Sequence, residues 1–443
     1  MEGMKEMRMI EEDRISNLHE SLIHHILSFM DMKEVVHTSL ISRRWRYLWT
    51  TLRTLNFDCI YWTNPRTLKM KRGKFKFFVE SVLLLRDKST DIDTFDLSLV
   101  DAYDNDFIRI DRWVACALRR GLRLLEFGCM NYPSDHAFPL YGRVNTLKLG
   151  GGFLPHCPDR KLLLELPLVE NLTLDSVVCI AVYDLILSCP KLKHLEMNNH
   201  FEEFIPRTTV KICAPNLVSL MCKGYMYQDY FLEEFPSLVN AEINTRVRSK
   251  DTAVDPETLY LQCMSKILRG LTNAKSLTLS TFGLQCFEEV SNMSEWVPIT
   301  YQNVKYLKLL DWLDCGDIHL VANLLKSFPH LETLTIGSIK GKRSVNEEEE
   351  GYEEEDWGAE LSFECIFCDL KSIDIYNFEG TENEVMFIEF LLKGASVLEN
   401  VNIMSTVASN DKEKKLVEFH KKIGLLQKAS SRVIVSLDFK RKY

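Results

Sequence analysis

Long uncharged hydrophobic runs are missing from this sequence. No window holds about 18 apolar residues without a charge, which is the length that a membrane-crossing helix needs. The opening residues, MEGMKEMRMIEED, mix charged residues with methionines and lack the apolar core of a signal peptide. These absences predict a protein of the cytosol, the nucleus or both, with no membrane partner.

The sequence also lacks an excess of positive charge. It has 54 lysines and arginines against 63 aspartates and glutamates, a net charge of −9. A general nucleic-acid binder needs a basic surface that faces the phosphates. We therefore expect protein partners and no nucleic acid. The 13 cysteines are scattered, mostly beside apolar runs, and in a reducing compartment they should remain thiols.

Motifs for catalysis and metal binding are absent as well. There is no Gly-x-Ser-x-Gly elbow, no His-Glu-x-x-His and no kinase-like set. Cys365 and Cys368 have the Cys-x-x-Cys spacing, but a zinc site needs two further ligands and the nearest downstream histidine is His420. We predict a protein that is not an enzyme, with no catalytic residues, no metal and no cofactor.

What the sequence does contain, near its start, is a set of short amphipathic helices. Asn17 followed by Glu20, and Asp31 followed by Glu34, are typical of capping boxes at helix starts. A third, basic and aromatic helix is expected to follow, around Trp45. A unit of about 45 residues is too small to bury a large core. Some of its apolar side chains should therefore serve an outside surface.

This N-terminal segment resembles the F-box of plant F-box proteins. The matching motifs are DRIS at 13–16, ILSF at 26–29 and SRRWR at 42–46, followed by Leu48 and Trp49. The resemblance implies that residues 13–58 form a three-helix module that docks a Skp-type adaptor and, through it, a cullin. By position, the implied adaptor-binding residues are Leu18, Leu22, Ile23, Ile26, Leu27, Leu40, Trp45, Leu48 and Trp49.

Two alternatives stay open for this module. The same apolar residues could close the module on itself and onto the next domain. In addition, the family usually has Leu-Pro where this chain has Leu18-His19. Loss of a proline at the first helical turn removes a rigid helix start, which leaves the strength of adaptor binding open.

From about residue 90 the sequence repeats the pattern apolar-x-x-apolar-x-apolar. Its last two apolar positions predict a short strand with both side chains on one face. Most intervals lie near the roughly 20–29 residues of a leucine-rich repeat, and stacked repeats bury a continuous core. The central positions are Phe95, Leu125, Leu147, Leu172, Leu195, Leu220, Ala241, Leu277, Leu307, Leu334, Ile373 and Val401, and Leu55 fits the pattern too.

The predicted fold is α/β: a three-helix F-box, then an irregular leucine-rich-repeat solenoid over residues 59–364. The returns between strands, such as VYDLILSCPKL, are expected to be helical or irregular. Residues 1–12 are expected to be a disordered N-terminus. The acidic run at 346–356 repels itself and is expected to be a disordered loop.

The end of the chain, residues 365–443, resembles the FBD region of plant F-box proteins. The matching features are Leu370-Lys371, an Asn-Phe-Glu-Gly turn at 377–380, and the run FIEFLLKGASVLENVNI. The resemblance implies two more repeat-like units and a C-terminal cap that completes the solenoid. A cap of this kind shields the last layer of a repeat core.

These features together favour a substrate-recognition subunit of a Skp-cullin-F-box ubiquitin ligase, whose solenoid binds an unknown target protein. The alternative is a non-catalytic leucine-rich-repeat scaffold with a drifted or non-degradative F-box. Aromatic and amide side chains near the strand ends suit protein recognition, although each could equally be ordinary solvated surface. The target-binding candidates are Asn198, His200, Tyr225, Tyr227, Trp312 and Tyr376.

Overall fold

The computed structural model describes fifteen segments of the chain. They are residues 18–63, 71–99, 104–129, 143–150, 161–175, 184–200, 209–225, 229–246, 256–280, 300–310, 324–337, 367–378, 382–407, 421–424 and 426–441. The predicted disordered stretches, 1–12 and 346–356, lie outside these residues, as do Tyr227, Trp312 and Cys365. The chain forms two compact units, Met1–Pro158 with Glu165–Cys179, and Asp159–Leu164 with Ile180–Tyr443.

The first unit begins with the short helices predicted from the sequence. They are α1 (Glu20–Leu27), α2 (Met32–His37) and two 3₁₀-helices, Thr38–Leu40 and Trp45–Thr51. Asp31 caps α2 as predicted, because its carboxylate accepts a hydrogen bond from the Lys33 backbone N–H at 2.7 Å. The predicted third helix is present as a 3₁₀-helix.

The start of α1 differs from the prediction. The N-cap is His19, and the capping box predicted at Asn17 is wrong. His19 Nδ1 lies 3.3 Å from the Ser21 backbone N–H and 2.7 Å from Ser21 Oγ. An imidazole nitrogen can accept a hydrogen bond as an asparagine oxygen does, so the helix begins two residues later in the chain than a cap at Asn17 would place it.

A sheet of parallel strands follows in the first unit. The strands pair in the order β1, β2, β3, β4, β6, with helices between the early ones. The elements run β1 (Thr54–Asp58), a 3₁₀-helix (Cys59–Trp62), α3 (Arg72–Leu85), β2 (Thr94–Leu99), α4 (Asp104–Leu118), β3 (Leu124–Cys129), β4 (Thr146–Gly150) and β6 (Asn171–Asp175). Strand β5 (Lys161–Glu165) comes between β4 and β6 in the chain, but all of it except Glu165 belongs to the second unit.

The second unit repeats the arrangement. Its main sheet is parallel, in the order β8, β10, β12, β13 and onward to β18. The elements run β7 (Asp184–Ser188), β8 (His194–Asn199), β9 (Thr209–Cys213), β10 (Ser219–Tyr225), β11 (Asp229–Leu232), β12 (Asn240–Arg246), α5 (Pro256–Gly270), β13 (Ser276–Ser280), β14 (Tyr306–Leu310), β15 (Thr333–Gly337), β16 (Ser372–Tyr376), α6 (Glu382–Gly394), β17 (Asn400–Val407) and β18 (Ile434–Arg441).

The register of these sheets confirms the repeat assignment. In the first unit Leu55, Phe95, Leu125, Leu147 and Leu172 are successive partners across five strands. In the second unit the predicted central residues also lie side by side, from Leu195 through Val401. All of these side chains are buried. The fold is therefore the α/β, leucine-rich-repeat architecture that the spacing predicted, with parallel strands that continue through the FBD region.

One prediction about the returns is wrong. The segment VYDLILSCPKL was expected to be helical or irregular, but it contains strand β7, which belongs to a second parallel sheet ordered β11, β9, β7, β5. Leu185 and Leu187 alternate with more exposed neighbours and are buried. This period of two is the pattern of a half-buried strand, and it outweighs the apolar spacing that could also suit a helix.

The helical module is tied to the first strand by side-chain hydrogen bonds. The second oxygen of Asp31 accepts from the Asp58 backbone N–H at 2.8 Å. Asn56 Nδ2 donates to the carbonyl oxygens of Ser28 at 3.0 Å and Met30 at 3.3 Å. Burial raises the pKa of Asp31, whereas the hydrogen bonds that its carboxylate accepts from the Asp58 and Lys33 backbone N–H groups lower it. The loop between α1 and α2 is thereby fixed on β1.

Candidate functional site

Helix α1 carries apolar side chains on two faces. Ile23 and Leu27 are buried, whereas Leu22 and Ile26 are 52% and 47% exposed. Phe29, three residues beyond Ile26, is also exposed, with its ring edge-on to His25 at 4.9 Å. Residues three and four apart lie on one helix face. The outward face of α1 is thus a stripe of large apolar side chains that the module itself leaves in solvent.

The two 3₁₀-helices also present apolar side chains to solvent. Leu40 is 85% exposed, and Ile41 and Tyr47 are exposed as well. We call Leu22, Ile26, Phe29, Leu40, Ile41 and Tyr47 the F-box exposed set. Scattered exposed apolar residues are ordinary on a protein surface. Six of them within a module of this size are typical of an interaction surface.

The nine residues implied by the F-box resemblance divide into three groups by burial. Leu22, Ile26 and Leu40 are exposed, and Leu18, Leu48 and Trp49 are half-buried. The remaining three, Ile23, Leu27 and Trp45, lie in the interior. Adaptor binding by these nine residues stays a prediction. In this conformation the three interior residues act only by supporting the others.

Sequence reasoning left three members of the exposed set unassigned. Phe29 continues the α1 stripe at helical spacing, so the periodicity could have identified it. Tyr47 lies in a 3₁₀-helix and Ile41 directly follows one, and in such stretches no regular 3.6-residue period marks the outward face. Their exposure follows from tertiary packing alone.

The four target-binding candidates within the described segments lie in the second unit, and three of them come together. The register pairs Asn199 with Gly224, which brings Asn198 and His200 at the end of β8 next to Tyr225 at the end of β10. Asn199 Nδ2 donates to the Tyr225 carbonyl oxygen at 3.0 Å. Tyr376 is 39% exposed at the end of β16, five strands from β10 in the sheet order.

Gly224 makes the close approach of these two strands possible. Its φ of +88° is in the left-handed region, and a Cβ at this position would lie 1.8 Å from the Asn199 carbonyl oxygen. Only glycine is accommodated there without distortion. The grouping of Asn198, His200 and Tyr225 therefore depends on this one residue.

A half-buried row of polar side chains on the first sheet contains an unusual carboxylate. Asn56, Asp96, Glu126 and Lys148 are consecutive partners across β1 to β4. Lys148 Nζ lies 3.0 Å from Glu126, but the buried oxygen Oδ1 of Asp96 has no hydrogen-bond partner within the part of the chain that is described. Burial, and then the negative charge of Glu126, raises the pKa of Asp96 to about 7.

The chemistry available in these surfaces is recognition. Within the described segments, no group of three or more histidine, cysteine, aspartate and glutamate side chains could hold a metal ion. Burial raises the pKa of the Cys189 and Cys222 thiols to about 12, which makes them poor nucleophiles. Of the helices in those segments, none is long and apolar enough to cross a membrane.

Comparison with known families agrees with this geometry. The F-box domain family matches residues 15–57 and the FBD family matches residues 362–403. Between them, the family described as FBD-associated F-box protein At5g56370, LRR repeats, matches residues 110–336, which is just over half of the chain.

Individual proteins are similar to this chain over most of its length. The F-box/FBD/LRR-repeat protein At1g13570 of Arabidopsis thaliana is 26% identical over 417 residues, covering 91% of this chain and 94% of that protein. The F-box/LRR-repeat protein At4g14096 of the same plant is 29% identical, covering 73% and 72%. The repeat register, the exposed apolar side chains of the N-terminal module and these matches agree. We conclude that the chain belongs to the plant F-box/leucine-rich-repeat proteins that carry a C-terminal FBD region.

Proposed function

We propose that this protein is the substrate-recognition subunit of a Skp-cullin-F-box ubiquitin ligase. F-box domains generally bind Skp1-type adaptors, and F-box/LRR relatives suggest a role in substrate recognition. The observation that carries the proposal is the F-box exposed set. Its large apolar side chains are left in solvent by a module that has otherwise closed its interior.

In this proposal the exposed and half-buried residues make the adaptor contact. Leu22, Ile26 and Leu40 would insert into the adaptor, with Leu18, Leu48 and Trp49 at the margins. Burying one leucine or isoleucine side chain contributes about 1.5–3 kcal/mol, so a few such residues can sustain a stable complex. Ile23, Leu27 and Trp45 would hold α1 and the 3₁₀-helices in the geometry that presents them.

The leucine-rich repeats would bind the target protein. The supporting feature is the group formed by Asn198, His200 and Tyr225, with Tyr376 as a separate contact. Amide and aromatic groups provide contact area and hydrogen bonds at low entropic cost.

We propose that the complex works in the cytosol, the nucleus or both.

The mechanism would be proximity. F-box/LRR proteins are generally non-catalytic adaptors. Holding a target lysine beside a charged ubiquitin-conjugating enzyme raises its effective concentration, so transfer is accelerated without catalytic residues in this chain. Asp31 and Asn56 would contribute by fixing the adaptor-binding module on β1, the first strand of the repeats.

The test is co-purification with a Skp-type adaptor. We expect the wild-type chain to bind, and a Leu22→Glu/Ile26→Glu variant to lose binding, because two carboxylates would be buried in an apolar interface. Ile434→Glu, an equally exposed apolar position on β18, is the matched control and should bind normally. If neither the wild type nor the control binds while both are folded, the alternative of a repeat scaffold with a drifted F-box replaces this proposal.

A further inference from the structure

Helix α3, directly after the F-box, is apolar on opposite sides. Phe75, Val79 and Val82 face the interior and are buried, whereas Phe77 and Leu85 are 72% and 64% exposed. A helix that is apolar all round is normally enclosed by other elements. The outward side of α3 is left uncovered within the described residues, and that side faces a groove.

The groove has a volume of about 510 Å³. One wall is α3, through Phe77, Ser81 and Leu85, and the other is formed by Val36, Trp49 and Trp62. This volume lies within the roughly 300–1,000 Å³ of typical binding clefts. The groove is therefore large enough to accept a row of apolar side chains from a partner.

The wall at Trp62 is held in place before any partner arrives. The Trp62 ring packs against Phe78 at 5.1 Å and edge-on against Phe75 at 6.2 Å, between ring centroids. Lys33 Nζ lies over the same ring at 4.9 Å and donates to the Tyr61 carbonyl oxygen. A preformed wall lowers the entropic cost of binding.

Among the described residues that line the groove, Lys74 is the only charged one. Lys71 is the N-cap of α3, Arg72 and Lys76 lie in its first turns with Lys74, and the acidic residue of the helix, Glu80, is paired with Arg109 at 3.0 Å. A cationic end beside an apolar channel is complementary to a partner whose apolar stripe is flanked by carboxylates.

We propose that this groove docks an acidic amphipathic helix of a partner protein other than the adaptor. Helix α3 has 14 residues, about 21 Å, which matches an apolar stripe of four turns at i, i+4, i+7 and i+11 spacing. The walls come mainly from residues beyond the F-box, and neither Leu22 nor Ile26 lines the groove. Trp49 is shared between the groove and the margin of the proposed adaptor contact, so the experiment below measures adaptor binding as well.

The probe is a fluorescein-labelled 14-residue peptide with leucines at helical spacing and glutamates at the other positions. Its binding to the full chain is measured by fluorescence anisotropy. We expect saturable binding that weakens about tenfold in Phe77→Gln/Leu85→Gln and in Lys74→Glu. Matched controls are Ile434→Gln, an exposed apolar position on β18, and Lys88→Glu, an exposed lysine just beyond α3. Both control variants should bind the acidic peptide as the wild type does. A peptide in which lysine replaces every glutamate should bind the wild type more weakly.

Four results would overturn the proposal. The first is no saturable binding of the acidic peptide, and the second is equal binding of the lysine peptide. The third is self-association of the free chain, detected by analytical ultracentrifugation and abolished in Phe77→Gln/Leu85→Gln. That result would assign the groove to a second copy of this chain. The fourth is loss of adaptor binding in that variant, which would make the groove part of the adaptor interface.

Discussion

The guanidinium of Arg86 lies in the interior of the first unit and donates from Nη2 to the carbonyl oxygen of Leu52 at 2.7 Å. Further bonds run to the carbonyl oxygens of Thr90 at 3.1 Å and Asp91 at 3.2 Å. Leu52 follows the 3₁₀-helix Trp45–Thr51 and lies two residues before the start of β1. Arg86 thus joins the exit of the F-box to the turn that enters β2, and burial lowers its pKa to about 10.

Replacement of Arg86 by lysine should destabilise the first unit. A lysine keeps a positive charge but cannot reproduce the planar fork that reaches three carbonyl oxygens. We expect a loss of about 2 kcal/mol in the free energy of unfolding, measured by urea denaturation. Arg123→Lys, at a largely exposed arginine that lies 3.9 Å from Asp93, is the control and should change little. Equal stability of the two variants would contradict this account of Arg86.

Asp96 should make stability depend on pH. Its pKa is raised from 3.8 to about 7, so the folded chain holds a proton that the unfolded chain has already released. The contribution of Asp96 to the free energy of unfolding is therefore complete below about pH 4 and is lost as the pH rises through about 7. Urea denaturation at pH 5 and pH 8 measures this loss.

Asp96→Asn should remove that dependence, because asparagine has the same shape and no titration. We expect the variant to be about 1–2 kcal/mol more stable than the wild type at pH 8 and similar to it at pH 5. Asp438→Asn, an exposed position on β18, is the control. A variant with the same pH profile as the wild type would show that Asp96 does not titrate in this range.

His19 should be replaceable by proline at little cost. Its φ of −64° already matches the value that proline imposes, so the ring fits without strain. His19→Ala removes the cap on Ser21 and should cost about 1 kcal/mol of unfolding free energy. His19→Pro loses the same cap but also restricts the unfolded chain, and this restriction offsets about 0.4–1 kcal/mol of the lost unfolding free energy. Thermal unfolding of both variants checks the order, and a proline variant less stable than the alanine variant would refute it.

Gly224 should tolerate no side chain. Gly224→Ala places a Cβ against the Asn199 carbonyl oxygen at a left-handed φ, and we expect a loss of about 2–4 kcal/mol in unfolding free energy. Gly337→Ala, on β15, is the matched control because its nearest neighbour would lie at 3.8 Å. Hydrogen exchange at the ends of β8 and β10 should rise in the first variant only, and an effect of similar size in both would argue against this reading of Gly224.

The repeat architecture was determined by the sequence alone. The apolar positions recur at short, regular intervals along the chain. In a strand, every second side chain points to the same face, whatever the distant contacts are. Leu277, Leu307 and Leu334 were predicted as equivalent, and they are partners in register. The Asp31 cap was predictable for the same reason, since it depends on a residue two positions away.

Tertiary structure decided which apolar side chains remain outside. Leu22 and Ile23 are neighbours of similar hydrophobicity, yet one is exposed and the other buried, because only one side of α1 faces the interior. The groove beside α3 joins Val36, Trp49 and Trp62 to Phe77 across more than forty residues of chain. Such a surface exists only once distant segments pack together, so no local pattern in the sequence encodes it.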